Sequence, residues 1–145
     1  MVDVNVVAFK LGELMERMDR VRSHCPENLK DLAADQDALD LVSFNLFLAV
    51  QTCLDVASHL ISDESWPPAA NARGALERLQ ARGVISKETV DSLREAVGLR
   101  NIVAHGYSGV DPAKIHAAAT TGLPDLERFA AEVGAWIEGR ADKLG

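Results

Sequence analysis

The sequence predicts an all-α bundle of four or five helices. Three observations lead there. Apolar residues recur at steps of three and four over long stretches. Prolines and glycines fall between those stretches rather than within them. No segment alternates apolar and polar residues like a strand, and there is no hairpin signal.

The elements follow in chain order. In "VAFKLGELMERMDRV", Val7, Leu11, Leu14, Met18 and Val21 form one stripe, which predicts an amphipathic helix over residues 4–23. Pro26 ends it. Residues 29–36 are short and polar and read as a loop or a single turn. "DALDLVSFNLFLAVQTCLDVASHLI" then runs for 25 residues without Gly or Pro, and Leu39, Val42, Leu46, Ala49, Val50, Cys53, Ala57 and Leu60 give it a wide apolar face. Such a helix belongs at the centre of a bundle. "SDESWPP" stops it, because proline does not fit a helix interior. A shorter helix is expected over 69–82, closed by Gly83. Ser86 looks like the N-cap of the next helix, which carries Val90, Leu93, Val97 and Ile102. Asp111-Pro112 is a cap followed by proline at the first helical position, and it opens another short helix. The last helix is expected over 124–139, with Leu126, Phe129, Ala130, Val133, Trp136 and Ile137 inward.

Length and composition bound the function. A chain of 145 residues reads as one domain over 1–145, large enough to bury a core without disulfides or metal. Cys25 and Cys53 fit no metal spacing and read as small core residues in a reducing cytoplasm. The start "MVDVNVVAFK" lacks the features of a signal peptide. No uninterrupted apolar run approaches the roughly 18 residues needed to span a membrane. A cytoplasmic protein with no membrane partner is therefore expected. The net charge of −7 argues against a general nucleic-acid coat but leaves room for a local basic cleft. Between Ala69 and His105 there are six Lys or Arg against four Asp or Glu, so that segment is +2 and the rest of the chain −9.

One stretch departs from ordinary helix: "GLRNIVAHGY", Gly98 to Tyr107. On its own His105-Gly106 is a common helix stop, with Tyr107 packing back over the last turn. However, Arg100 and Asn101 add two polar groups to the same helix. Asn101 and His105 are four apart and share a face. Arg100 and His105 are five apart, about 140° around the axis, so they meet only if the arginine wraps round or if two symmetric copies come together. These residue types suit RNA cleavage without metal. A histidine can take the proton of a ribose 2′-hydroxyl or protonate the leaving oxygen. An arginine can hold the phosphate and stabilise its developing charge, giving a 2′,3′-cyclic phosphate.

Arg100-Asn-Ile-Val-Ala-His105-Gly-Tyr107 resembles the R-x4-H-x-Y motif of the HEPN superfamily, and in particular the HepT-like toxins of HepT/MntA toxin–antitoxin systems. "LAVQTCLDVASHLI" is similar to that family's long helix, with Val56 where isoleucine is commoner, and "WPPAANARGALERLQARGVIS" to its following connection. The resemblance implies an all-α homodimer with an endoribonuclease site between the two motif helices, acting on RNA such as tRNA or mRNA. Arg100 and His105 would be catalytic, Asn101 supporting, and no cofactor needed. It also implies a cognate MntA-like nucleotidyltransferase antitoxin that adds AMP to Tyr107.

The long helix also carries Gln51, Asp55, Ser58 and His59 at helical spacing. Asp55 and His59 are four apart and could pair; the stripe is either a solvated face or the wall of a cleft opposite the motif. His24 and His116 read as surface residues, and Trp66 and Trp136 as packing residues. A second function stays open, that of a non-catalytic HEPN bundle that binds a nucleotidyltransferase through Arg100 and Tyr107.

Overall fold

A computed structural model describes the backbone of residues 1–105 and 110–144 and the side chains of the same residues up to 140. Among the described residues there are seven helices and no strand: α1 (Val4–His24), α2 (Leu29–Ala34), α3 (Gln36–Asp63), α4 (Ala72–Ala81), α5 (Lys87–Ala104), α6 (Pro112–Thr120) and α7 (Leu123–Leu144). The all-α class is as expected, but the count exceeds four or five because short segments are also helical. Within residues 29–36, Leu29–Ala34 form a true helix, α2, whose Leu32 is completely buried. One buried leucine in a polar stretch was too weak a periodic signal to reveal it.

The helix ends have identifiable chemical causes. The Asp3 carboxylate accepts the Asn5 and Val6 amides to start α1, and Asp35 accepts the Ala38 amide to start α3. Asn71, not a residue near 69, caps α4 through the Gly74 amide. Gly83, at φ 76°, closes that helix, with the Val84 amide bonded to the Leu79 carbonyl. Between α6 and α7 the backbone approaches itself so closely that a Cβ on Gly122 would lie 2.7 Å from the Ala118 carbonyl oxygen.

α3 is the hub and touches each of the other six helices. Its predicted apolar face is buried throughout, and Leu54, Val56 and Ile61 widen that burial to nearly half of the helix circumference. A helix with neighbours on several sides has no single inward stripe, which is why the expected face was too narrow. α3 is also long and apolar enough to cross a membrane by length and composition, contrary to the expectation from uninterrupted runs, but most of that stretch is packed inside the bundle. Val7, Leu14, Met18 and Val21 of α1 lie against it in the core, joined by Phe129 and Val133 of α7. Each such side chain contributes about 1.5–3 kcal/mol of burial.

Cys53 is buried, and burial pushes its thiol far above the ordinary range. Cys25 is only half-buried, at the C-cap of α1 rather than in the core. His24 and His116 are half-buried rather than surface residues, and His116 Nε2 lies 3.2 and 3.0 Å from the Pro26 and Glu27 carbonyl oxygens.

Candidate active site

The candidate site depends on how α5 is held. At its start the Ser86 hydroxyl caps the Thr89 amide. Thr89 is completely buried, and its hydroxyl donates to Glu132 of α7 while accepting from Arg128 Nε at 3.0 Å. The Ser86 amide donates to the other Glu132 oxygen at 3.0 Å. Val90 and Leu93 anchor the same end in the core. Beyond them α5 rises out of the bundle: Val97, Leu99 and Val103 are half-buried and Ile102 is 38% exposed. The sequence grouped Ile102 with Val97 among the apolar residues of this helix. The two are five residues apart, about 140° around the axis, so they cannot share a face.

The emerging half of α5 carries the motif residues. Arg100 is half-buried and turned toward α3. Its Nη1 donates to Gln51 Oε1 at 2.7 Å, and its Nη2 donates to Asn101 Oδ1 at 2.7 Å. Gln51 Nε2 in turn donates to Asp55 Oδ1 at 3.0 Å. Both acceptors of the guanidinium are therefore neutral amides. Arg22, Arg94, Arg128 and Arg140 instead meet carboxylates. Among the described residues Arg100 makes no ion pair, so its positive charge is held in place without being neutralised. Arg100 Nε is shielded from solvent and has no hydrogen-bond partner among them.

Asn101 and His105 are exposed, one helical turn apart, with the His105 amide bonded to the Asn101 carbonyl at 3.1 Å. His105 is the C-cap of α5. Among the described residues no hydrogen bond or ion pair joins Arg100 to His105, in keeping with their angular separation. Tyr107 lies outside the described residues.

On α3, the polar stripe divides. Gln51 and Asp55 belong to the arginine's hydrogen-bond chain. His59 does not pair with Asp55; its Nε2 lies 2.9 Å from Asp63 Oδ2, off line for a hydrogen bond. Asp63 prevails because its carboxylate is already held facing the N-terminal segment, accepting the Asp3 amide, while its carbonyl accepts the terminal ammonium. The polar stripe also continues an apolar one. Leu41, Phe44, Leu48, Gln51 and Asp55 follow at steps of three and four on the side of α3 facing away from its buried residues, with Phe44 55% exposed.

Sequence and structure comparisons agree with this architecture. The family model for ribonuclease HepT-like proteins matches residues 14–133. The chain belongs to the ribonuclease HepT-like family. It is 28% identical over 90 residues to the mRNA nuclease HepT of Shewanella oneidensis, covering 62% of this chain and 68% of that protein. The fold matches a toxin–antitoxin crystal structure with AMP-PNP at a TM-score of 0.84 and 21% identity, over 90% of this chain and 98% of the other. It also matches the tri-AMPylated Shewanella oneidensis HEPN toxin in complex with MNT antitoxin at a TM-score of 0.83 and 23% identity, over 93% and 99%.

Proposed function

We propose that this HepT-like chain is a cytoplasmic, metal-independent endoribonuclease whose working site is formed by Arg100 and His105 of two copies. The observation that carries this reading is the Arg100 guanidinium, fixed by two amide oxygens and left without a counter-ion. An RNA phosphate would supply that counter-ion. A turn of the guanidinium toward the phosphate would also satisfy its unpartnered Nε. Asn101 supports by holding Nη2. His105, exposed one turn further along, takes the proton from the ribose 2′-hydroxyl. The 2′-oxygen forms a bond to phosphorus as the bond to the 5′-oxygen breaks, and that oxygen takes up a proton from the second copy's histidine. The products are a 2′,3′-cyclic phosphate and a 5′-hydroxyl.

The homodimer is supported by two features of one chain. Arg100 and His105 diverge on α5, and the α3 face of exposed Leu41 and Phe44 and half-buried Leu48 runs directly into Gln51 and Arg100. A second copy on that face would cover the apolar residues and bring two Arg100–His105 sets together. Regulation follows from chemistry. AMP added to Tyr107 by an MntA-like nucleotidyltransferase would place a phosphodiester beside the motif, where it could pair with Arg100 in place of RNA. The primary test is cleavage of tRNA and mRNA by the purified protein with EDTA present, with end-group analysis of the products. Cyclic phosphate termini are expected. Absence of cleavage at all, with RNA or antitoxin still bound, would leave the non-catalytic bundle as the function.

A further inference from the structure

Two hollows open beside Arg100, which among the described residues is the one that lines both. The first, of about 520 Å³, lies between α3, α5, α6 and α7; its lining is mainly apolar and includes the carboxylates of Glu95 and Asp125 beside Lys114. The second, of about 600 Å³, lies between the end of α3 and the start of α4. Its size is ordinary for a small-molecule site. Its lining contains Arg100, Trp66, the hydroxyls of Ser58, Ser62 and Ser65, and Asn71, but among the described residues no carboxylate. The acidic residues nearest in sequence are already engaged, Asp63 beside His59 and Glu64 with Arg140 at 3.0 Å.

We propose that the second hollow is a nucleotide subsite, taking one nucleoside of single-stranded RNA whose adjoining phosphate rests on Arg100. The inference rests on the reading of Arg100 as the phosphate-binding residue. An anionic ligand favours the hollow that lacks carboxylates. The three serine hydroxyls have no hydrogen-bond partner among the described residues and can both donate and accept, as base edges and ribose require. Asn71 Oδ1 is used in capping α4, which leaves its amide nitrogen free to donate.

Trp66 supplies an aromatic wall. It was expected to be a packing residue, and it does pack: its ring meets Trp136 edge to face at 5.8 Å, and Arg82 lies over it at 5.5 Å. It also lines the hollow, where a base can contact the indole whatever its sequence. The turn that sets Trp66 there is strained. Ser65 follows α3 at φ 54°, with its amide bonded to the Ser62 carbonyl at 3.1 Å and the Trp66 amide bonded to the Ile61 carbonyl at 3.0 Å. Glycine makes this helix ending at little cost. A serine there places a hydroxyl in the hollow at the expense of backbone strain, a pattern associated with ligand-contacting positions.

Trp66 and Trp136 are the chain's two tryptophans, so a Trp136→Phe variant reports on Trp66 alone. Nucleoside 3′-monophosphates and a 2′-deoxy oligonucleotide that cannot be cleaved are expected to quench its emission, and inorganic phosphate is not. In the wild-type protein the same ligands should shift the Trp66 indole N–H resonance more than that of Trp136, which covers the case of a poorly folded variant. Ser62→Phe, at an exposed position on α3, fills the hollow and should weaken nucleotide binding roughly tenfold to hundredfold. Unchanged emission and resonances with millimolar nucleotide, or wild-type affinity in the filled variant, would overturn the proposal. Cleavage by the wild-type protein is scored separately. Quenching without cleavage keeps the subsite and removes the nuclease mechanism; cleavage without quenching does the reverse.

Discussion

Gln51→Glu changes one atom type and tests the central feature of the site. The glutamine oxygen lies 2.7 Å from Arg100 Nη1, so the variant's carboxylate would occupy the same place and neutralise the guanidinium. Two unit charges about 4 Å apart interact by about 4 kcal/mol at an effective dielectric constant of 20. Arg100 and Gln51 are half-exposed, so solvent reduces this to roughly 1–2 kcal/mol. RNA phosphate must then compete with that internal partner, and transition-state stabilisation should fall by about fivefold to thirtyfold. The substitution also sets a second carboxylate one helical turn from Asp55, costing a few tenths of a kcal/mol in the helix. Folding should therefore survive. The assay is single-turnover cleavage of a short RNA, paired with the affinity of an uncleavable 2′-deoxy analogue across a salt series. Expected are a slower rate, weaker binding, and a salt slope shallower by about one unit, because one phosphate contact is lost. An unchanged rate and salt slope would show that the Arg100 charge is not used on RNA.

Other outcomes follow from the same geometry. His105→Ala should slow cleavage by about 10²–10⁴-fold; its exposed position at the end of α5 predicts an unchanged thermal unfolding midpoint, so activity loss through unfolding would refute the role. Ser65→Gly should raise stability by roughly 0.5–1 kcal/mol in urea melts, since relief of about 1–2 kcal/mol of left-handed strain outweighs the added chain entropy of glycine. A fall in stability would mean that the turn is not strained. Thr89→Val should destabilise the chain by about 1–3 kcal/mol, because it leaves Glu132 and Arg128 short of a buried partner. A neutral urea midpoint would show that this network does not anchor α5. Co-expression with the cognate nucleotidyltransferase should add AMP mass to the peptide containing Tyr107, read by mass spectrometry; neutralised toxicity with an unmodified Tyr107 would mean that the antitoxin inhibits by binding alone.

Local signals in the sequence reached a definite limit. Caps, prolines and the three-and-four spacing located the long helices, because those features act within one turn of backbone. Leu39 to Leu60 came out as the buried face of α3 for that reason. The failures involve longer range or weaker periodicity. α2 has a single fully buried side chain and no repeat to detect. Val97 and Ile102 were grouped as apolar although their five-residue separation puts them on different sides of α5. Gln51 and Arg100 are 49 positions apart, and spacing on either helix could not show that they hydrogen-bond. The hollow beside Arg100 needs the end of α3, the turn at Ser65 and the start of α4 together, so no single stretch of sequence outlines it.

The acidity of the chain sharpens this site rather than opposing it. With 22 Asp and Glu against 15 Lys and Arg, the net charge of the chain opposes non-specific association with RNA. Several cations are also consumed internally: Arg22, Lys87, Arg94, Arg128 and Arg140 each meet a carboxylate. Arg100 escapes this fate because α3 presents an amide, Gln51, at the point of contact and keeps the carboxylate of Asp55 one hydrogen bond further away. Exchanging those roles would have produced another internal salt bridge, better compensated and useless to a phosphate. The relay instead orients the guanidinium without neutralising it, and leaves its charge at the strip between the two hollows. Under the proposed function, a strand of RNA would be held where its phosphate lies on Arg100, before the exposed imidazole of His105 further along α5.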